Sequence, residues 1–165
     1  MDIALLLVRL IGIGFAAHGA QKLFGWFGGY GIAGTAGWME SIGFRPGKLY
    51  ATAAGLSELV GGLLLALGLG GPIGPMLAIA AMVVAIAVHL PNFFVTKNGY
   101  ETALLYAVVA LVLAFTGFGA FSLDAALGIA TVWSPALQWT AVGLGVLSGL
   151  ANIAARRKPV AAEAA

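Results

Sequence analysis

Apolar stretches alternate with short loops rich in glycine and polar residues along the chain. A helix that spans a bilayer needs about 20 mostly apolar residues, because its backbone hydrogen bonds must be satisfied internally in hydrocarbon. Five stretches approach this length: 3–20, 50–69, 73–90, 101–119 and 137–155. The pattern predicts an all-α fold, a single polytopic membrane helix bundle over residues 1–155. It has a four-helix core, a fifth C-terminal transmembrane helix and a basic cytoplasmic tail at 156–165.

The fifth stretch differs from the others because it contains Gln138, Asn152 and many small residues. An interfacial or re-entrant helix is therefore an open alternative for residues 137–155. Gly145 and Gly149 have the GxxxG spacing that brings membrane helices together, which hints at a homo-oligomer formed through this helix.

Composition agrees with a membrane protein, since 61% of the residues are hydrophobic and 8% are charged, against about 25% charged in soluble domains. The absence of cysteine excludes disulfides, thiolate metal sites and a dithiol relay within the chain. The net charge of +2 does not indicate nucleic-acid binding, because the basic residues flank the apolar stretches, as expected beside membrane lipid.

The basic residues also predict an orientation, because lysine and arginine in short loops are retained on the cytoplasmic side. Five spans give an outside N-terminus and a cytoplasmic C-terminus. They place seven basic residues on one side of the membrane: Lys22, Arg45, Lys48, Lys97, Arg156, Arg157 and Lys158.

The first loop combines many glycines with aromatic residues of the kind that lie at lipid headgroups, such as Trp26, Tyr30 and Trp38. Anchoring at the membrane surface is the main interpretation, and a gate over a pocket is the alternative. A short helix is expected at 35–42, with Thr35 as its N-terminal cap.

Most of the remaining polar residues fall at one end of the predicted spans. His18, Gln21 and Lys22 share a face at the end of the first span, because residues three or four apart are helical neighbours. Glu58 lies about 12 Å into the second span. The third predicted span ends and the fourth begins at the same membrane face. The pattern therefore predicts a ligand-binding cluster there, which consists of His18, Gln21, Lys22, Glu58, His89, Asn92, Tyr100 and Glu101.

Charged residues within the spans are costly and need a role. Glu58 either orients helices through a hydrogen bond or serves a ligand or a proton, which makes it a catalytic candidate together with His18 and His89. Arg9 is expected on the opposite side of its helix from His18, either snorkelling towards the N-terminal surface beside Asp2 or paired structurally. Glutamate and histidine never occur three or four residues apart, so no metal site is predicted, and the two histidines give only weak support for haem.

These residues carry a resemblance to a known family. Five segments occur in order over about residues 5–127, HGAQKLFGWFGGYGIAGTAGWMESIGFRPG, GLSELVGGLLLALGL, HLPNFF, NGYE and FGAFSLDAAL, and they resemble successive motifs of the DoxX family. The resemblance implies a small bacterial inner-membrane protein with a four-helix core and, in some relatives, a link to sulfur or oxidative-stress metabolism. The related DoxD proteins are subunits of a thiosulfate:quinone oxidoreductase. Carried over by position, the family's recurrent polar residues are the eight of the predicted cluster.

Two functions from different classes follow. The leading hypothesis is a membrane subunit of a redox system, in which the cluster binds a quinone head group or a similar amphipathic ligand. A soluble oxidoreductase would then supply the electrons, since no flavin, iron–sulfur or thiol motif occurs in the sequence. The alternative is a non-enzymatic scaffold or assembly protein, or a small transporter. The sequence is compatible with a quinone-linked oxidoreductase subunit and with a chain that has no catalytic activity.

Overall fold

A computed structural model describes residues 1–157 of the chain. Within them the regular elements are eight α-helices and three short 3₁₀ turns. The α-helices are α1 (Asp2–Arg9), α2 (Ile11–Phe24), α3 (Gly31–Ser41), α4 (Gly47–Leu67), α5 (Ile73–His89), α6 (Glu101–Thr116), α7 (Leu123–Ala126) and α8 (Pro135–Ala154). The prediction of an all-α membrane helix bundle is confirmed. Most of the predicted basic tail lies outside the described residues.

Three helical stretches of the described part are long and apolar enough to cross a membrane by length and composition: Asp2–Phe24, Gly47–Leu67 and Pro135–Ala154. In the first of them, α1 and α2 follow one another across Leu10. The apolar helices α5 and α6 are shorter, with 17 and 16 residues. The least apolar of the predicted spans therefore forms one of the long helices.

Several helix boundaries differ from the predicted ones. α4 begins directly after Pro46, three residues earlier than expected, and α8 begins with a proline that follows the capping residue Ser134. The short helix α3 is longer than predicted, and Tyr30 precedes it. The predicted cap is wrong, because Thr35 lies inside α3, where its buried hydroxyl donates to the carbonyl of Lys22 at 3.2 Å.

Close helix crossings depend on small residues. A Cβ atom at Gly19 of α2 would lie 2.3 Å from the backbone nitrogen of Leu59 in α4, so only glycine allows this approach. α8 packs on α5 in the same way, since a Cβ atom at Gly149 would lie 2.6 Å from that of Val83. The GxxxG face of α8 is thus used inside the chain rather than between copies, and a homo-oligomer stays a prediction without support from this face.

The loops collect at two opposite ends of the bundle. We call one the cluster end; it contains the end of α2, α3, the start of α4, the end of α5, the start of α6 and the end of α8. There the Arg156 side chain donates to the carbonyl of Ile42 at 2.6 Å, and the Arg157 amide donates to the carbonyl of Gly43 at 2.9 Å. These bonds tie the last helix to the turn between α3 and α4.

The far end contains the start of α1, the turn between α4 and α5, and the segment around α7. Arg9 is 2% exposed and donates from Nη2 to the carbonyl of Phe121 at 2.6 Å. Its guanidinium lies against Gly68 at the C-terminal end of α4, where the helix dipole favours a cation. Asp2 accepts instead from the amide of Ala120 at 2.9 Å. The expectation that Arg9 snorkels to the surface beside Asp2 is therefore wrong, because neighbouring elements cover it.

Candidate functional site

An ion pair between α2 and α4 lies at the centre of the cluster end. Lys22 Nζ is 2.5 Å from Glu58 Oε2, and this is the one salt bridge within residues 1–157. The side chain of Glu58 is 6% exposed and that of Lys22 is 26% exposed. Since α4 begins at Gly47, Glu58 lies about 16 Å along its helix, deeper than the sequence suggested. A carboxylate at this depth needs a partner, and the ammonium group provides it.

His18 and Gln21 form a second polar group on α2. His18 Nδ1 is 3.1 Å from Gln21 Oε1, and the amide nitrogen of Gln21 donates to the carbonyl of Phe27 at 3.2 Å. The imidazole also meets the ring of Tyr106 edge-on, with 5.9 Å between ring centroids. Tyr106 belongs to α6, so it bridges the gap between α6 and α2, where its ring also packs on Phe15 at 5.1 Å.

His89 ends α5 and is held from two sides. Its Nδ1 lies 2.9 Å from the carbonyl oxygen of Asn98 in the following loop. The indole of Trp38 from α3 stacks on the imidazole, with a centroid distance of 6.4 Å and an interplanar angle of 23°. Because Trp38 and Asn98 come from different elements, the position of His89 depends on how α3 and the α5–α6 loop close over the bundle.

Three cavities meet at these residues. The inner cavity, about 210 Å³, lies between α3, α4, α5 and α8 and is mainly apolar. The histidine cavity, about 230 Å³, lies between α2, α4, α5, α6 and the loop before α6. The vestibule, about 500 Å³, lies beneath the loop between α2 and α3. Lys22 and His89 line all three cavities, while Glu58 lines the inner and histidine cavities.

This arrangement suits a molecule with both an apolar and a polar part. Residues such as Met39, Phe44 and Val84 give the inner cavity an apolar wall, and the ion pair forms its polar limit. Pockets of this kind, apolar with a few convergent polar groups, are typical of sites for small molecules. The arrangement therefore provides both a volume for an apolar group and charged hydrogen-bonding atoms for a head group.

The structure brings together five of the eight predicted cluster residues: His18, Gln21, Lys22, Glu58 and His89. It does not place Asn92, Tyr100 or Glu101 in the walls of the three cavities. The carbonyl of Asn92 accepts from the Tyr100 amide at 3.0 Å, and Glu101 Oε2 accepts from the Val95 amide at 2.9 Å. These bonds shape the loop that carries Asn98, and a direct ligand contact by the three residues stays a prediction.

Several lining residues were not identified from the sequence as part of the site. The sequence indicates a surface anchor at Trp38 and a polar interruption of the fifth span at Asn152, yet both line the inner cavity. Tyr106 lines the histidine cavity, and its hydroxyl in the first half of a mainly aliphatic helix was the available signal. Within residues 1–157, no group of three or more histidine or acidic side chains is placed to hold a metal ion.

Comparison with known proteins assigns the family. The DoxX family model matches residues 4–91, more than half of the chain. The match extends from α1 to the end of α5 and includes Lys22, Glu58 and both histidines, whereas the NGYE and FGAFSLDAAL segments lie beyond it. Searches among curated proteins and solved structures find no match. With its apolar helices and this match, the chain belongs to the DoxX family of membrane proteins.

Proposed function

We propose that this DoxX-family protein is a membrane subunit of a redox system that binds the head group of a quinone, or of a similar amphipathic ligand, around Lys22 and Glu58. The observation that carries the proposal is the position of the ion pair. It forms a common wall of the mainly apolar inner cavity and of the histidine cavity. One ligand can therefore place a ring or tail in an apolar volume while its oxygen atoms reach charged groups.

The hydrogen-bonding capacity of the ion pair supports this assignment. An ammonium group has three N–H donors, and Lys22 uses one of them on Glu58. The remaining donors can serve an oxygen atom of the head group. Glu58 accepts no other side-chain or backbone hydrogen bond within the described residues, so its other lone pairs are available to a ligand or to a transferred proton.

Electrons must come from a partner, because the chain contains no cysteine and no recognisable redox motif. We propose that a soluble oxidoreductase docks at the cluster end. The predicted orientation places this end on the cytoplasmic side of a bacterial inner membrane. The exposed aromatic side chains of Trp26, Phe27 and Tyr30 in the first loop lie at the same end and support its position at the lipid surface.

The proposal is tested by binding and turnover in the purified full-length protein and in membranes. Mass spectrometry and absorbance spectra of wild type are expected to show a co-purified quinone. Glu58→Gln is expected to weaken quinone binding at least tenfold, and both Glu58→Gln and His18→Ala are expected to abolish quinone reduction at unchanged protein level. Glu40→Gln is the matched control, because Glu40 is exposed and lines none of the three cavities. Wild-type binding and turnover in both site variants would contradict the proposal.

A scaffold or transport role is the second candidate, and one observation favours it. The Lys22–Glu58 pair joins α2 to α4, beside the close crossing at Gly19. If the pair serves only packing, Glu58→Gln lowers the unfolding temperature or the yield of a co-purified partner protein. In that case no redox ligand is found in any preparation.

A further inference from the structure

His89 is held in one tautomer by its neighbour. Its Nδ1 lies 2.9 Å from the carbonyl oxygen of Asn98, which can only accept a hydrogen bond. Nδ1 therefore carries the hydrogen, and in the neutral imidazole Nε2 is left with a free lone pair. Nε2 has no hydrogen-bond partner within residues 1–157, so a ligand in the adjoining cavity can use it.

Two consecutive hydrogen bonds hold His18 in the same tautomer, with the hydrogen on Nδ1. The amide nitrogen of Gln21 donates to the carbonyl of Phe27, so the amide oxygen faces His18. That oxygen can only accept, which places the hydrogen of the imidazole on Nδ1. In the described part of the chain, His18 Nε2 also has no partner. Two histidines from α2 and α5 thus offer hydrogen-bond acceptors at one cavity.

We propose that the histidine cavity selects ligands that donate hydrogen bonds, and that it binds an aromatic diol, the hydroquinol form of the head group, in preference to the quinone. This inference rests on the proposed function, because it concerns the same ligand site. A quinone carries only acceptor oxygens and would leave both imidazole lone pairs unpaired. Unpaired polar groups removed from water are costly, and this applies most to the half-buried His89, whereas two hydroxyl groups can donate to both imidazoles.

The other atoms of the cavity agree with a diol. A hydroxyl group accepts as well as donates, so it can also receive a hydrogen bond from Lys22 or from the Tyr106 hydroxyl. Phe15 and Met82 are buried and line the cavity, where they provide an apolar surface for a ring. His18 is exposed, which places it at the opening of the cavity rather than at its base.

A preference for the reduced form also shifts the redox equilibrium of the bound ligand. Tenfold tighter binding of the hydroquinol raises the midpoint potential of a two-electron couple by about 30 mV. The cavity would therefore make the bound quinone easier to reduce than the same quinone in the lipid phase.

The test uses the full-length protein in detergent, without oxygen, at pH 8, above the range in which histidine ordinarily titrates. The probes are a decyl-substituted benzohydroquinone, the corresponding benzoquinone, and the dimethyl ether of the hydroquinone, which has the same ring but no donor. The dissociation constants are measured by calorimetry. We expect the hydroquinone to bind at least tenfold more tightly than either of the other two.

Variants at His89 localise the effect. His89→Phe keeps a ring beside Trp38 but removes the acceptor, and it should reduce the preference to less than threefold by weakening hydroquinone binding alone. His89→Gln can place an amide oxygen near the Nε2 position and should retain most of the preference. Glu40→Gln, which lines none of the cavities, should behave as wild type.

The outcomes separate this inference from the proposed function. Quinone binding as tight as hydroquinone binding in wild type overturns the inference and leaves the proposed function intact. Failure of all three probes to bind the folded protein contradicts both. If His89→Phe does not fold, the three wild-type constants still decide, because the dimethyl ether tests donation without a change in the protein.

Discussion

The two ends of the bundle each contain a buried carboxylate, but they satisfy it differently. At the far end, both oxygens of Asp124 accept from main-chain and indole donors: the amide of Gly70 at 2.8 Å, that of Gly71 at 2.7 Å and Nε1 of Trp133 at 2.9 Å. At the cluster end, Glu58 accepts a single hydrogen bond within the described residues, from Lys22. Both ends have cavities, since one of about 350 Å³ borders Asp124.

The difference indicates that burial alone does not distinguish an acid that holds the fold together from one that can serve a ligand. The three donors of Asp124 fix the α4–α5 turn to the segment after α6, so its lone pairs are engaged in holding the fold together. Glu58 is buried to a similar degree but keeps unused lone pairs at the walls of two cavities. The number of donors around a carboxylate, rather than its depth, therefore separates a structural group from one that can serve a ligand.

The largest expected effect is at the far end. Asp124→Ala leaves three N–H donors unpaired and should lower the free energy of unfolding by about 3 kcal/mol, while quinone binding by the folded protein stays at the wild-type level. Chemical unfolding in detergent micelles measures the first effect and calorimetry the second. The matched variant is Glu40→Ala, which leaves one N–H donor unpaired instead of three, the partly buried amide of Gly47, and should cost about 1 kcal/mol. A loss of ligand affinity in Asp124→Ala would contradict the assignment of a structural role to Asp124 and a ligand-binding role to Glu58.

Two glycine-to-alanine substitutions, one at each end of the bundle, introduce the same backbone strain and so allow the two ends to be compared. Gly71 and Gly28 both have positive φ angles, 48° and 78°, so alanine is strained at either position by about 1 kcal/mol. A Cβ atom at Gly71 would also lie 2.3 Å from the indole of Trp133, whereas none at Gly28 meets an atom within 4 Å. Gly71→Ala should therefore cost about 2–3 kcal/mol in total. Equal free energies of unfolding for Gly71→Ala and Gly28→Ala would contradict this expectation, because the indole of Trp133 would then move aside at no cost.

The smallest expected effect on stability is at the ion pair. Lys22→Met leaves Glu58 without its partner, and a double-mutant cycle with Glu58→Gln should give a coupling of about 1 kcal/mol, because Lys22 is partly exposed. Both single variants should nevertheless weaken quinone binding at least tenfold. The scaffold function would be favoured by a coupling energy larger than the loss of unfolding free energy in Asp124→Ala, together with unchanged ligand affinity. The ion pair would then serve packing.

The fold was largely predictable, because hydropathy alone identifies helices that must satisfy their backbone in lipid. Boundaries were less accurate, although Pro46 and the Ser134–Pro135 pair were available signals for the starts of α4 and α8. The burial of Arg9 was not predictable, because its hydrogen-bond acceptor lies 112 residues further along the chain.

The sequence predicted only those parts of the candidate site that follow from which helix ends lie at the same face of the membrane. Alternating helices bring Lys22, Glu58 and His89 to one end, and the structure agrees. The contributions of Trp38 and Asn98 depend on how a surface helix and a loop fold over that end, which hydrophobic periodicity does not encode. The hydrogen bonds from the amides of Gly70 and Gly71 to Asp124 join positions more than 50 residues apart, and they were not predicted for the same reason.

The position of Lys22 in all three cavities has a consequence for ligands that arrive together. One ammonium group cannot orient its protons fully towards occupants of the vestibule, the inner cavity and the histidine cavity at once. Because Lys22 has two N–H groups besides the one on Glu58, we expect occupants that compete for the same N–H group to lower each other's affinity, and thermodynamic reciprocity makes the two factors equal. A molecule bound in the vestibule would then inhibit without competing for the ligand's own cavity. The strength of this inhibition would change with every substitution of Lys22.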